Sequence, residues 1–124
     1  MTSKEKQMTK GELEASFTKK IVKFEKDYLG RGPVDARTYL INDMVLIRLR
    51  GVLTPAEEKL VEKREGQALV KEARRQLFET SRNILEGFVR EVFDTELIGL
   101  FSDISTETGE RIIVLTIGRN LETN

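Results

Sequence analysis

The sequence predicts an α+β domain: a four-stranded, mainly antiparallel sheet made of two hairpins, in the order α-ββ-αα-ββ, with the helices packed on one face. Three observations predict it. Two stretches rich in Tyr, Leu, Ile and Val are each folded back by a short turn. Long segments on either side of the first hairpin carry apolar residues at helical spacing. Directly after that hairpin, Thr54-Pro55-Ala56-Glu57 spells a helix start, with Thr54 as N-cap, Pro55 at the first helical position and Glu57 closing a capping box.

Residues 1–9 are polar and read as an N-terminal arm ahead of a single domain over 10–121. Leu13, Phe17, Ile21, Phe24 and Tyr28 fall at steps of 4, 4, 3 and 4, which places them on one helix face. Lys19, Lys20, Lys23, Glu25 and Lys26 are expected to face solvent. The helix must stop at Gly30-Arg31-Gly32-Pro33, because glycine suits a left-handed cap and Pro33 pulls Gly32 out of helical geometry.

The first hairpin spans Ala36 to Ile41 and Met44 to Leu49. Asn42 and Asp43 between them tolerate the positive φ of a tight turn. A short helix from Pro55 to about Glu65, a break at Gly66 and a long helix from Gln67 to Phe93 follow. Leu69, Ala73, Leu77, Ile84, Phe88 and Val92 form the expected buried stripe, interrupted at Ser81. The second hairpin runs from Glu96 to Ser105 and from Arg111 to Arg119, with Gly109 as the positive-φ turn residue.

These strands do not alternate apolar with polar. Met44 and Leu46 share a face with Arg48 and Arg50, while Val45, Ile47 and Leu49 hold the other; Ile112 and Val114 oppose Ile113 and Leu115 in the same way. Helices on one side leave the other side apolar, a surface that monomers seldom expose. A homodimer packed through the sheet, or a docked partner, would supply the missing layer. The competing arrangement sends the N-terminal helix across to that face and completes a three-layer monomer.

The chain has 124 residues, enough for one self-sufficient core. It contains neither cysteine nor histidine, which excludes disulfides, thiolate zinc sites, thiol nucleophiles and imidazole acid–base chemistry. No enzyme activity and no cofactor are expected. Lys plus Arg and Asp plus Glu both number 21, so no global field draws in nucleic acid or anionic lipid. No signal peptide or membrane span is read, and a cytoplasmic protein without membrane insertion is expected.

Four residues are candidates for anion or partner contact. Arg31 stands between glycines that would let a ligand approach its backbone, although the turn lacks the Lys and Ser or Thr of a phosphate loop. Arg48 and Arg119, with Arg50 and Arg111, would form a basic patch if the strands gather them. Without paired aromatics beside them nucleic acid is not expected, and charges at strand ends are the plainer reading. Asp103 lies within a strand, where aspartate is depleted, so a bulge or turn contact is expected there. Arg74, Arg75, Glu79, Arg82, Glu86 and Arg90 read as a solvated helix face without function.

Gly30-Arg31-Gly32-Pro33, the Asn42-Asp43 hairpin, Leu53 to Glu57 with Leu60, Gly66 with Val70 and Arg74, and Ser102-Asp103-Ile104-Ser105 before Gly109 together resemble the MpsC-like (YbcI-like) family over about Lys10 to Leu121. The resemblance implies a small soluble accessory or regulatory protein. It would stand beside a Na+-translocating, membrane-potential-generating system whose membrane components resemble inorganic-carbon uptake machinery, and would be peripheral to the membrane through that partner. The resemblance carries no catalytic residue. The chain departs from the pattern at Asp94-Thr95, where glycine is expected before the second hairpin. Two other classes stand against this reading: a nucleic-acid-binding or transcription-related module using the strand arginines, and a small-anion sensor at Arg31.

Overall fold

The computed structural model describes residues 8–122. In chain order the elements are α1 (Lys10–Leu29), β1 (Asp35–Ile41), β2 (Met44–Arg50), α2 (Pro55–Leu60), α3 (Arg64–Thr80), α4 (Arg82–Phe93), β3 (Leu97–Ser105) and β4 (Glu110–Ile117). The strands form one antiparallel sheet in the order β1-β2-β4-β3. The fold is thus the α+β arrangement of two hairpins, which meet along β2 and β4.

Most of the predicted arm, residues 1–7, lies outside the described residues. Thr9 belongs to the helix as its N-cap: its hydroxyl accepts from the Glu12 N–H at 3.1 Å, and the Glu12 carboxylate accepts from the Thr9 N–H at 2.9 Å. The turn residues behave as their chemistry dictates. Gly30 caps α1 at φ 92°, Asn42 turns the first hairpin at φ 55° and Gly109 the second at φ 72°. Asp94, at φ 55°, holds the left-handed position that closes α4. Aspartate is one of the few residues that tolerates this conformation, which explains how it replaces the expected glycine.

Two helix expectations are corrected. Gly66 does not break the chain but lies inside α3. A Cβ at this position would stand 1.7 Å from the Leu60 carbonyl oxygen, so the glycine is there to let the end of α2 touch α3. The short helix ends earlier, at Leu60, with residues 61–63 before α3, and the expected long helix is divided at Ser81. Its hydroxyl donates to the Leu77 carbonyl at 2.8 Å, and its φ of −92° and ψ of 12° separate α3 from α4.

The buried stripe is also rotated. Helix α3 buries Gly66, Val70, Arg74 and Phe78, while Leu69 and Leu77 are 62% and 46% exposed. Helix α4 buries Leu85, Val89 and Phe93, with Ile84, Phe88 and Val92 at its flanks. A charged residue at an inward position, Arg74, concealed the true period of α3.

Helices α1, α3 and α4 lie on one face of the sheet. Phe17, Ile21 and Phe24 of α1 are fully buried. Phe17 meets Phe93 of α4 at 5.1 Å between ring centroids, and Phe24 packs edge-on against Phe78 of α3 and Phe88 of α4. Under them lie Val45, Ile47 and Leu49 of β2 and Ile113, Leu115 and Ile117 of β4. Because α1 stays on this side, the three-layer arrangement does not form and no described helix covers the opposite face of the sheet.

Candidate functional site

On that opposite face the register aligns one residue from each strand. Tyr39 of β1 pairs with Leu46 of β2, Leu46 with Val114 of β4, and Val114 with Phe101 of β3. Beside this row stand Ile41 and Met44, themselves a pair. Tyr39 and Phe101 are exposed, and Leu46, Met44, Ile112 and Val114 are half-buried by their neighbours. The face is therefore apolar across the full width of the sheet. Phe101 escaped the sequence reading because only the register places it opposite Val114.

Charge collects at one end of this face and is divided between its halves. Arg37, Arg48 and Arg50 belong to β1 and β2; Glu110 begins β4. The Arg48 Nε donates to the Glu110 carboxylate, and Arg50 lies 3.8 Å from the same oxygen. Alternation along the strands sets these residues on the same side as the apolar row.

The four arginines considered as one patch are not gathered. Only Arg48 and Arg50 share the open face. Arg111 points to the other side, where it is 2% exposed. Arg119 follows the end of β4 and donates to the Phe93 carbonyl at 2.8 Å, tying the sheet to the end of α4. Arg31 is half-buried and donates to the Leu53 carbonyl at 3.0 Å, fastening the end of α1 to the start of α2. Asp103 accepts from the Ile104 N–H at 2.8 Å and lies 3.7 Å from the Lys71 ammonium, so it spans the gap between β3 and α3.

Beneath α3 the structure assembles a charged group, two members of which, Glu25 and Arg74, the sequence reading assigned to solvent. Arg74, 2% exposed, donates through Nε and Nη2 to the two oxygens of Glu57 at 2.8 and 2.7 Å, and through Nη2 to the Val52 carbonyl at 2.9 Å. Glu25 of α1, wholly buried, sits between two guanidinium groups: Arg74 Nη1 is 3.6 Å from one of its oxygens and Arg111 Nη1 is 3.6 Å from the other. These are ion pairs beyond hydrogen-bond length, and both Glu25 oxygens and both Nη1 atoms lack hydrogen-bond partners. Arg111 donates through Nε to Ser102 Oγ at 3.0 Å and lies 4.6 Å above the Phe78 ring.

The electrostatics follow from burial. Loss of water pushes the Glu25 carboxyl up from its ordinary range, against the pull of Arg111 and Arg74. Burial likewise lowers Arg111, partly offset by Glu25. At Glu57 burial opposes ionisation, yet the Arg74 hydrogen bonds and the Thr54 N–H outweigh it and hold the carboxyl below the usual range. A charge within a four-residue spacing, the Arg74 of Gly66, Val70, Arg74 and Phe78, was the one signal of this group in the sequence. It is visible only once a buried arginine is allowed.

No described helix is long and apolar enough to cross a membrane. No solved structure matches the chain. Two curated proteins of Bacillus subtilis (strain 168), both described as uncharacterized, do match. YbcI is 35% identical over 116 residues, covering 94% of each chain, and YrhF is 30% identical over 108 residues, covering 86% of this chain and 88% of its own. The profile of the Na+-translocating membrane potential-generating system (MpsC) family matches residues 9–119. With the profile and YbcI both spanning nearly the whole chain, this protein belongs to the MpsC family.

Proposed function

We propose that this chain is a non-catalytic, cytoplasmic accessory or regulatory protein that acts as a homodimer, peripheral to the membrane, beside a Na+-translocating membrane complex. The family description supplies the setting. The observation that carries the reading is the open sheet face, whose row Tyr39, Leu46, Val114 and Phe101 is covered by no described element.

A second copy fits that face by charge as well as by shape. A twofold axis parallel to the strands, between β2 and β4, lays β1 and β2 of one protomer over β4 and β3 of its partner. Tyr39 then opposes the partner's aromatic edge, and the basic strands Arg37, Arg48 and Arg50 oppose the half that bears Glu110. Four strands at ~4.8 Å spacing and about 25 Å of length give on the order of 1,000 Å² between two copies, the lower edge of a specific interface.

Light scattering across a concentration series tests the assembly. The wild type is expected to pass from monomer to dimer, and Val114→Asp to remain a folded monomer at every concentration. A wild type that stays monomeric to about 1 mM would overturn the dimer. The setting is tested by affinity capture from detergent-solubilised native membranes. Co-purification of integral-membrane subunits of an ion-translocating complex is expected, and their absence would remove the accessory role.

The nucleic-acid reading is weaker. Tyr39 and Phe101 stand on opposite edge strands, roughly 14 Å apart across the sheet, too far to stack consecutive bases. Arg48 and Arg50 already face Glu110.

A further inference from the structure

The two edges of the sheet are treated differently. At β1 the helix α1 stands guard: the Glu14 carboxylate accepts from the Leu40 N–H at 3.0 Å, and the Thr18 hydroxyl donates to Thr38 Oγ1 at 2.7 Å. At β3 the guards stand only at the ends. Arg82 donates to the Ile98 carbonyl at 3.3 Å, beside the bulge between Leu97 and Gly99, and the Asp103 carboxylate accepts from the Ile104 N–H at 2.8 Å. Since the Ile104 N–H turns away from β4, the alternation of an antiparallel ladder turns the backbone groups of Leu100 and Ser102 outward as well. Among the described residues these N–H and C=O groups have no hydrogen-bond partner.

Along this open stretch, between α3 and β3, runs a groove of about 230 Å³. Ala68, Phe78, Leu100 and Ile104 form its apolar wall. Its ionic groups are satisfied by one another and by the core: Arg75 by Glu72 and Glu79, Lys71 by Asp103, Arg74 by Glu57, and Arg111 by Glu25. The groove therefore offers apolar surface and main-chain hydrogen bonds, and no spare charge. A chain laid against Leu100 and Ser102 points alternate side chains into the groove, and the one between them lies beside the exposed Phe101 on the other face.

We infer that β3 accepts a short extended segment of another protein as a fifth strand, uncharged and apolar on both of its faces. Hydrogen bonds to the backbone of Leu100 and Ser102 hold the segment, and the groove selects its inner side chains. A second copy of β3 fits less well. That strand is nine residues long and would run into Arg82 at one end and Asp103 at the other, and a bulge with edge charges is how sheets avoid pairing edge to edge. The unguarded stretch suits a segment of about five residues. It lies outside the face assigned to the dimer and is open whether or not that face pairs.

The probes are end-blocked pentapeptides Thr-Val-X-Val-Thr, with Val, Ile, Leu or Phe as X, added to the full-length protein and followed by calorimetry and amide hydrogen exchange. In the free protein the Leu100 and Ser102 amides are expected to exchange at least about tenfold faster than those of Phe101 and Asp103, which face β4. At least one peptide is expected to bind saturably, with Kd on the order of 100 μM, and to protect the Leu100 and Ser102 amides. Ala68→Phe, on the exposed rim of the groove, should keep its circular dichroism and bind at least about tenfold more weakly. The same peptide N-methylated at alternate amides should not bind. Failure of all four peptides below about 5 mM overturns the proposal. So does equal binding of the N-methylated peptide, or unchanged affinity in Ala68→Phe. Tighter binding with Lys or Glu as X overturns the assignment to an uncharged segment. Self-association of Val114→Asp that disappears on adding Ala68→Phe gives the edge to a second copy and overturns the foreign segment.

Discussion

Arg74 and Glu57, seventeen residues apart, share two hydrogen bonds at 2.7 and 2.8 Å while Glu57 also caps its own helix by accepting from the Thr54 N–H at 2.9 Å. One carboxylate thereby fixes the start of α2 and holds an arginine in the core. Removing Arg74 leaves both Glu57 and the wholly buried Glu25 short of a counter-charge. We predict that Arg74→Met costs about 3–5 kcal/mol in urea unfolding, the range for breaking one side of a buried ion pair. Combining it with Glu25→Gln should recover part of that loss. Strictly additive costs would show that the two residues are not coupled.

The same group sets a pH dependence with two opposed limbs. Glu25 has its folded-state pKa raised above the ordinary value of 4.5, so the folded state binds the proton more tightly than the unfolded chain. Stability from this group is full below that value and is lost as pH rises through the folded pKa. Glu57 is shifted down, so its contribution is present above 4.5 and disappears as pH falls through its folded pKa. Denaturant unfolding between about pH 3 and pH 8 should show Glu25→Gln flattening the fall on the alkaline side only. An unchanged slope there would exclude Glu25 as its source.

Two helical glycines should respond oppositely to alanine. In α4, Gly87 has nothing within 4 Å of an added Cβ, and Gly87→Ala is expected to stabilise by about 0.5–1 kcal/mol through helix propensity. In α3, the Cβ of Gly66→Ala would meet Leu60 backbone at 1.7 Å. Displacing α2 should cost about 2 kcal/mol or more, in spite of the same gain in propensity. Equal effects at the two sites in thermal unfolding would contradict the close approach of α2 to α3.

On the open face, Phe101→Asp and Leu46→Asp should each abolish dimer formation while leaving the helical circular dichroism unchanged. Phe101 is exposed and makes no described core contact, so its loss should alter monomer stability by about 0.5 kcal/mol or less. A charge reversal at Arg48, paired with Glu110→Arg, should restore a dimer weakened by either change alone. No rescue would argue against the twofold arrangement.

Much of the fold was legible because local chemistry agreed with it. Thr54-Pro55-Ala56-Glu57 starts a helix, Asn42 and Gly109 turn hairpins, and the stripe Phe17, Ile21, Phe24 is buried as spaced. The apolar character of both sheet faces was equally plain. The charged core was not, because a pattern that treats arginine and glutamate as surface residues turns α3 toward Leu69 and Leu77 and sends Glu25 into solvent. What stabilises Arg74, Glu25 and Arg111 inside is their mutual contact, and that depends on three elements meeting. Gly66 misled in another way: as a helix breaker it marks a boundary, whereas here the absence of a side chain serves a contact with Leu60.

The β1-β2-β4-β3 order also dictates how the chain reaches its native state. Each hairpin closes over a handful of residues and can form in about 1–10 μs. The central ladder instead joins residues 44–49 to 111–116, so it must wait for α2, α3 and α4 to fall between the hairpins. We predict that the slow step is the meeting of the two hairpins, so that truncating Ile47 or Ile113, partners at the middle of that ladder, slows refolding in stopped-flow kinetics. An effect on unfolding alone would contradict this order of events.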